Sequence, residues 1–368
     1  MKLFYSFGDI FSLLNISKLL ILWYNLDMLI LGIETSCDET AAAVVRDGVE
    51  ILSNVVVSQI DIFAEYGGVI PEVAARSHLE VILPVIDRAL SDAACTWDDI
   101  DAIAVTHAPG LLGSLLIGTL TARTLAVLHD KPLYAVHHLK SHVYANWLNV
   151  PNYPAFPLLA LVVSGGHTQI LYMKQHNQFE IVGTTRDDAV GECFDKVAKI
   201  LGLPYPGGPA IAKAALEGDA DKYHLPHPKI DGLDFSFSGL KTAVLRAVQK
   251  ELGLPISHPS HDLKNHLNPE QVADFAASFQ KTAVDILVEK LGVACERVPD
   301  IQSVVVAGGV SANKALREAL PEAYFPAPSL SGDNGAMVAA ACYFEIQSGV
   351  KPVDPYSLNI YPRISIEK

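Results

Sequence analysis

The sequence contains no C-x-x-C pair. Its five cysteines, Cys37, Cys95, Cys193, Cys295 and Cys342, are scattered and odd in number. That excludes a disulfide framework and a thiolate zinc site, and fits a reducing, cytoplasmic setting. Excess positive charge is also missing, since the formal net charge is -14. A nucleic-acid substrate would then need a local basic patch, or positive charge lent by a partner protein. Charged residues make up only 18% of the chain and hydrophobic ones 50%, a balance that supports a large core and excludes a mostly disordered protein. The leading segment lacks the ~20 apolar residues that a membrane helix needs, because its uncharged run Leu19–Leu26 is bounded by Lys18 and Asp27. No small-residue cleavage site follows it, so a secretory signal is not expected. We read residues 1–27 as an N-terminal extension, with the native start near Met28, and expect no membrane association.

From Met28 onward, short β-branched runs alternate with helical stretches over a 368-residue chain, which predicts an α/β class with two domains or two lobes. Strands are expected at Leu29–Glu34, Ala42–Val49, Ile51–Val57, Ile103–Thr106 and Leu133–Val136. Helices are expected over Arg76–Leu90 and from the Pro109–Ser114 loop to about Leu128. After the proline-bearing stretch Pro151–Pro157, the strand–turn–strand pattern returns at Leu158–Val163 and Gln169–Met173, an echo that predicts two related lobes. A long helix over Ala273–Val293, a buried strand at Ile301–Val306 and a final helix over Gly335–Glu345 complete the pattern. That last helix is expected to cross back to the first lobe, and His258–Pro269 to be a mobile loop. The expected division is 28–137 plus about 324–350 for the first lobe, 138–323 for the second, and 351–368 as a C-terminal tail.

Three turns rich in glycine or hydroxyls follow strands: Glu34–Thr40, Val163–Thr168 and Ala307–Asn313. Backbone N–H groups in such turns can surround phosphate oxygens, and a following helix N-terminus adds partial positive charge. Any one is weak, but three in a chain with repeated lobes favour nucleotide binding. His138 and His142 stand four apart, which on a helix puts both imidazoles on one face, close enough to share a metal ion. Two ordinary surface or core histidines would look the same. A zinc peptidase would require Glu after the first histidine, and Leu139 occupies that position. A third ligand is needed, and Asp333, in a polar turn before the last helix, is the best placed carboxylate. Such a set suits iron or zinc better than magnesium. Asp195 reads either as an ion-pair partner of Lys196 or Lys199, or as an acceptor for ribose hydroxyls beside Gly208. The run Asp234–Thr242 places two aromatics among hydroxyls, as a packing plug or as an exposed surface for stacking bases. Cys37 and Cys193 lack a base partner and are not read as nucleophiles.

Together these residues resemble the TsaD family of bacterial tRNA threonylcarbamoyltransferases, formerly called glycoproteases. The resemblance spans about Met28 to Arg363. It rests on Gly32–Thr40, Tyr66–Glu72, His137-His138 with His142, Val163–Thr168, Phe194–Lys196, Tyr205–Gly208, Asp234–Lys241, Ala307–Asn313 and Asp333–Gly335. It implies an actin-like, sugar-kinase-type fold with two related lobes. It implies one divalent metal per subunit, iron(II) with zinc as the alternative, held by His138, His142 and Asp333. Val162, Val163, Ser164, Gly165, Gly166, Asp195, Gly208 and Asn313 would line the nucleotide or substrate site. The implied reaction moves threonylcarbamoyl from threonylcarbamoyl-AMP to N6 of the adenosine 3′ of the anticodon, in tRNAs reading codons that begin with adenine. Implied partners are tRNA, a metal-free TsaB-like paralogue and a TsaE-like ATPase. Lys140, Ala108 and Gly332 depart from common family residues without removing a proposed ligand. A small-molecule kinase or ATPase of the same fold, and a non-catalytic scaffold, are the alternative readings.

Overall fold

The computed structural model describes residues 27–228, 230–298 and 300–367; the leading segment considered above otherwise lies outside the described residues. A first sheet begins with an antiparallel meander of β1 (Leu29–Glu34), β2 (Glu39–Arg46) and β3 (Glu50–Ser58). Helices α1 (Ile60–Tyr66) and α2 (Pro71–Asp92) then lead to β4 (Ala102–Ala108), α3 (Leu112–Leu128) and β5 (Leu133–His137). The strand order is β3-β2-β1-β4-β5, with β4 parallel to both β1 and β5.

The second sheet repeats this plan. Strands β6 (Leu158–Val163), β7 (Thr168–Met173) and β8 (Phe179–Thr184) form the meander, and β9 (Ser303–Ala307) pairs parallel to β6, giving the order β8-β7-β6-β9. A fifth strand is reduced to one bridge, where Tyr324 pairs parallel to Val305 on the side that β5 takes beside β4. This doubled order makes the fold actin-like. All six residues of β6 are buried, as expected for a strand covered on both faces, which explains its unbroken apolar run.

Helix α4 (His138–Tyr144) follows β5 directly, while α5 (Val190–Leu201), α6 (Gly207–Ala215), α7 (Ser238–Glu251) and α8 (Pro269–Arg297) separate β8 from β9. The chain then forms α9 (Lys314–Ala319) and α10 (Gly335–Gln347). Helix α10 is apolar all round and rich in alanine, so it can be buried on every side. It packs on β1 so closely that a Cβ on Gly32 would lie 2.2 Å from the Gly335 carbonyl oxygen. One core cluster joins α4 and α10 to residues of both sheets, including Ile30, Val136, Leu158 and Val305.

Several sequence expectations shift. Strand β2 ends at Arg46 because Asp47 and Gly48 take positive φ values of 52° and 69° and turn the chain into β3. Helix α8 starts four residues before the expected Ala273, where Asn268 and Gln271 form a capping box ahead of Pro269. Helix α7 begins inside the run Asp234–Thr242, and Phe235 and Phe237 are fully buried, so the packing-plug reading holds and the base-stacking one does not. The segment expected to be mobile carries a turn over Leu263–Asn265 anchored by buried Leu263. Among the described residues, no helix is long and apolar enough to cross a membrane.

Candidate metal centre and substrate cleft

The C-terminal ends of β1, β4, β6 and β9 converge on a cleft of about 1190 Å³, lined by Ser36, Pro109, Ser164, Gly309 and residues around them. In open α/β sheets this is where ligands bind. Helices α3, α4, α5, α6, α9 and α10 all start next to this cleft, because each follows a strand end or a tight turn. Their free N–H groups and dipoles favour anions there.

At the cleft floor, ligand atoms of His138, His142 and Asp333 lie within 4.8 Å of one another. Asp333 Oδ1 is 3.1 Å from Nε2 of His142 and 3.6 Å from Nε2 of His138. Donors about 2.1 Å from a shared ion stand about 3.0–3.5 Å apart, so little movement is needed to hold one. Both ring nitrogens of His142 are buried and neither makes a well-directed hydrogen bond, Nε2 despite lying 3.1 Å from Asp333. A buried polar atom left this way is costly unless something else satisfies it, and a metal ion would do so. The set fits a divalent metal.

Glu34, absent from the sequence-based site, stands behind His138. Its Oε2 lies 3.0 Å from Nδ1 of His138 and accepts from the Thr106 hydroxyl at 2.7 Å, while Oε1 accepts from the Ser36 amide at 2.5 Å. Burial alone would raise the Glu34 pKa, but the charge of His138 outweighs it and holds the carboxyl below its ordinary value. For His138 burial works downward, and Asp333 and Glu34 overcome it to give about 9. Asp333 is brought to about 2 because His138 and His142 outweigh its burial. Two ionised carboxylates therefore flank the imidazoles and give the floor a negative balance that a dication would neutralise. His137 is not part of this set. Burial holds it neutral, near 3, and its Nδ1 accepts from the Leu139 amide at 3.2 Å as the cap of α4.

Further along the cleft, Gly165, Gly166 and Gly208 line the wall, and a Cβ on any of them would meet nothing within 4 Å. Their bare backbone faces open space, so a ligand can approach closely. Gly308, by contrast, sits at φ 89° with Val163 O 2.5 Å from its would-be Cβ, which fixes the turn after β9 against β6. Asp195 also lines the cleft and pairs with neither Lys196 nor Lys199. Lys196 instead bridges Asp188 and Glu192, and Asp195 Oδ1 accepts from the Gly207 amide at 2.7 Å. Asn313 caps α9 through Oδ1 and donates from Nδ2 to Gln280 at 2.9 Å. Val162 and Val163 are the exception among the expected lining residues. Their side chains are fully buried because β6 is covered on both faces, so only the turn that follows them reaches the cleft.

Other residues at the cleft were not among the ligands and lining residues expected from the sequence. His167 stands on its wall, held neutral near 4 chiefly by burial and then by the charges of His138 and His142. Lys213, Lys314 and Arg363 supply exposed positive charge at its edge in an otherwise acidic protein. Arg363 arrives there because the C-terminal segment straps over the first sheet, with Val353 bridging Leu133 and Tyr361 N donating to His107 O at 3.0 Å. Glu39 is raised to about 10 by burial and by Asp333 and Asp38, and is therefore neutral near pH 7. Burial likewise raises the thiols of Cys37 and Cys193, the latter to about 12, in keeping with their reading as non-nucleophiles.

Fold and site define an actin-like protein of two lobes, with a glycine-lined cleft and a two-histidine, one-carboxylate donor set at its floor. The model of a known family, TsaD: tRNA N6-adenosine threonylcarbamoyltransferase, matches residues 50–340. Proteins of that name from Symbiobacterium thermophilum and Bacillus cereus are 50% and 48% identical over 347 and 352 residues, covering 92% of this chain and 97% of each relative. The chain belongs to the TsaD family.

Proposed function

We propose that this chain transfers the threonylcarbamoyl group from threonylcarbamoyl-AMP to N6 of the adenosine 3′ of the anticodon, in tRNAs reading codons that begin with adenine. The observation that carries this reading is the joining of the His138/His142/Asp333 set, whose His138 and Asp333 face the cleft, with a bare glycine cradle on the same cleft's wall. A phosphate-binding cleft alone would serve a kinase equally well, but a kinase has no use for the two-histidine floor.

His138, His142 and Asp333 would hold the metal, iron(II) by the family resemblance, which when bound supplies a Lewis acid for the threonylcarbamoyl carbonyl. The turn Ser164–Gly166 and the N-termini of α5 and α9 would receive the AMP phosphate, with Lys213, Lys314 and Arg363 balancing its charge. Asp195 has one carboxylate oxygen committed to Gly207, which leaves the other for a ribose hydroxyl beside Gly208. The adenine amine attacks the carbamoyl carbon, the carbon–oxygen bond to phosphate breaks, AMP leaves with that bond's electrons, and the amine proton passes to water or phosphate.

The net charge of -14 points to help with tRNA from partner proteins. A candidate surface for one lies on the first lobe. Leu79 and Leu83 on α2 and Leu112, Leu116 and Leu120 on α3 are each at least 43% exposed, on helices that pack side by side. Such a patch suits an apolar partner helix face, and we assign it to the TsaB-like paralogue.

The test supplies the purified chain, both partners, unmodified tRNA and threonylcarbamoyl-AMP, and measures modified adenosine by nucleoside mass spectrometry. Modified adenosine that depends on this chain is the expected result. No product, where a known complex of the family succeeds, would overturn the reading.

A further inference from the structure

A second donor cluster lies outside the cleft, in the segment between α7 and α8. His258 Nε2 is 2.9 Å and His266 Nε2 3.0 Å from one and the same oxygen, Oδ2 of Asp262. The two imidazole rings stand 5.6 Å apart at 78°, and all three ligand atoms fall within 4.8 Å of one another. The cleft-floor set has the same make-up, with rings 4.6 Å apart at 76° and nitrogen–oxygen separations of 3.1 and 3.6 Å. Separations near 3 Å are those expected of donors that share a metal ion, about 2.1 Å from each.

The surroundings hold this cluster in shape. Gln249 Nε2 donates to the carbonyl oxygens of Ile256 at 3.1 Å and His258 at 3.0 Å, tying the segment to α7. Leu263 is fully buried in the core, and Asn265 donates to the second oxygen of Asp262 at 2.9 Å. Asp262 is thus oriented by Asn265 with Oδ2 turned toward both histidines. The adjacent Lys264 rests on Gly202, at the C-terminal end of the helix α5 that carries Asp195. An ion here would staple the α7–α8 connection next to the base of that helix.

We propose that His258, Asp262 and His266 form a second divalent transition-metal site, distinct from the cleft and structural in role. Two imidazoles and one carboxylate suit zinc, nickel or cobalt rather than calcium or magnesium, and water would complete the coordination at this partly exposed position. The site is independent of the proposed reaction.

The experiment strips the full chain with chelator, adds zinc(II), removes the excess, and counts bound zinc per chain by mass spectrometry. Its arms are the wild type, His142→Ala, and His258→Ala/His266→Ala, with Asp262→Asn as a milder disruption that keeps the shape of the side chain. The surface double variant and Asp262→Asn are each expected to hold one equivalent fewer than the wild type, whatever the wild-type count. His142→Ala should keep the equivalent that those variants lose, and its melting temperature should rise with zinc. An unchanged zinc count in the double variant, with circular dichroism showing it folded, would overturn the proposal. So would a zinc response of His142→Ala that survives the added loss of His258 and His266.

Discussion

Glu34 accepts from Nδ1 of His138 at 3.0 Å, and so holds the proton on that nitrogen and turns Nε2 toward Asp333. The carboxylate acts on the floor of the cleft through the histidine, fixing its tautomer and raising its basicity as a donor. Glu34→Gln keeps the size of the buried side chain and removes its charge. Metal affinity is expected to fall about 10–100-fold, as outer partners of metal-binding histidines typically cost when changed. Competition with a chelator of known affinity measures this, and unchanged affinity would contradict the role given to Glu34.

Glycines at two places should respond in opposite ways. In Gly208→Val the new Cβ would meet no atom of the protein within 4 Å, and the position lines the cleft. The variant should melt as the wild type does and bind a non-hydrolysable analogue of threonylcarbamoyl-AMP at least about tenfold more weakly, a loss of about 1.4 kcal/mol. Gly32→Ala instead sets a methyl 2.2 Å from Gly335 O and 2.7 Å from Ala339 N, both in the backbone of α10. Backbone cannot swing aside as a side chain can, so we expect a loss of about 3 kcal/mol or more. Thermal denaturation of the two variants side by side checks both expectations.

The leucine stripe on α2 and α3 gives a third prediction. Leu83 and Leu116 are 55% and 43% exposed, so Leu83→Asp and Leu116→Asp cost little in the isolated chain. In a complex each would bury an unpaired carboxylate, and association with the TsaB-like paralogue should be lost. Analytical ultracentrifugation of the mixture reads this directly. A complex formed at wild-type affinity would move the partner surface elsewhere.

Local patterns made much of this fold legible. The apolar runs of β1 and β6, and the strand–turn–strand echo between the lobes, need only neighbouring residues to be seen. The pair His138 and His142 was visible for the same reason, since helical spacing alone puts both on one face of α4. Asp333 was different, because nothing local ties it to histidines almost two hundred positions earlier; its polar turn made it a candidate, and the family resemblance supplied most of the case for it. Glu34 was missed because it closes an apolar strand, and its partner lies 104 positions away. Arg363 reaches the cleft only because the C-terminal strap crosses the first sheet, which no spacing in the sequence signals. The aromatics at 235 and 237 left two readings open for a related reason. Hydroxyls around them suggested a surface, whereas Ser236 and Ser238 donate to Asp187 while both rings turn into the core.

The central claim is that the buried two-histidine floor is needed for threonylcarbamoyl transfer, and His142→Ala tests it most directly. His142 is fully buried and is not among the residues that line the cleft, so the change should leave assembly with the partners intact. In the reconstituted reaction, with metal content measured on the same sample, the account predicts a metal-poor protein. Its modification of tRNA should fall at least about a hundredfold, in line with the several kcal/mol that a bound Lewis acid contributes. A metal-free His142→Ala enzyme that assembled normally and modified tRNA at the wild-type rate would contradict it.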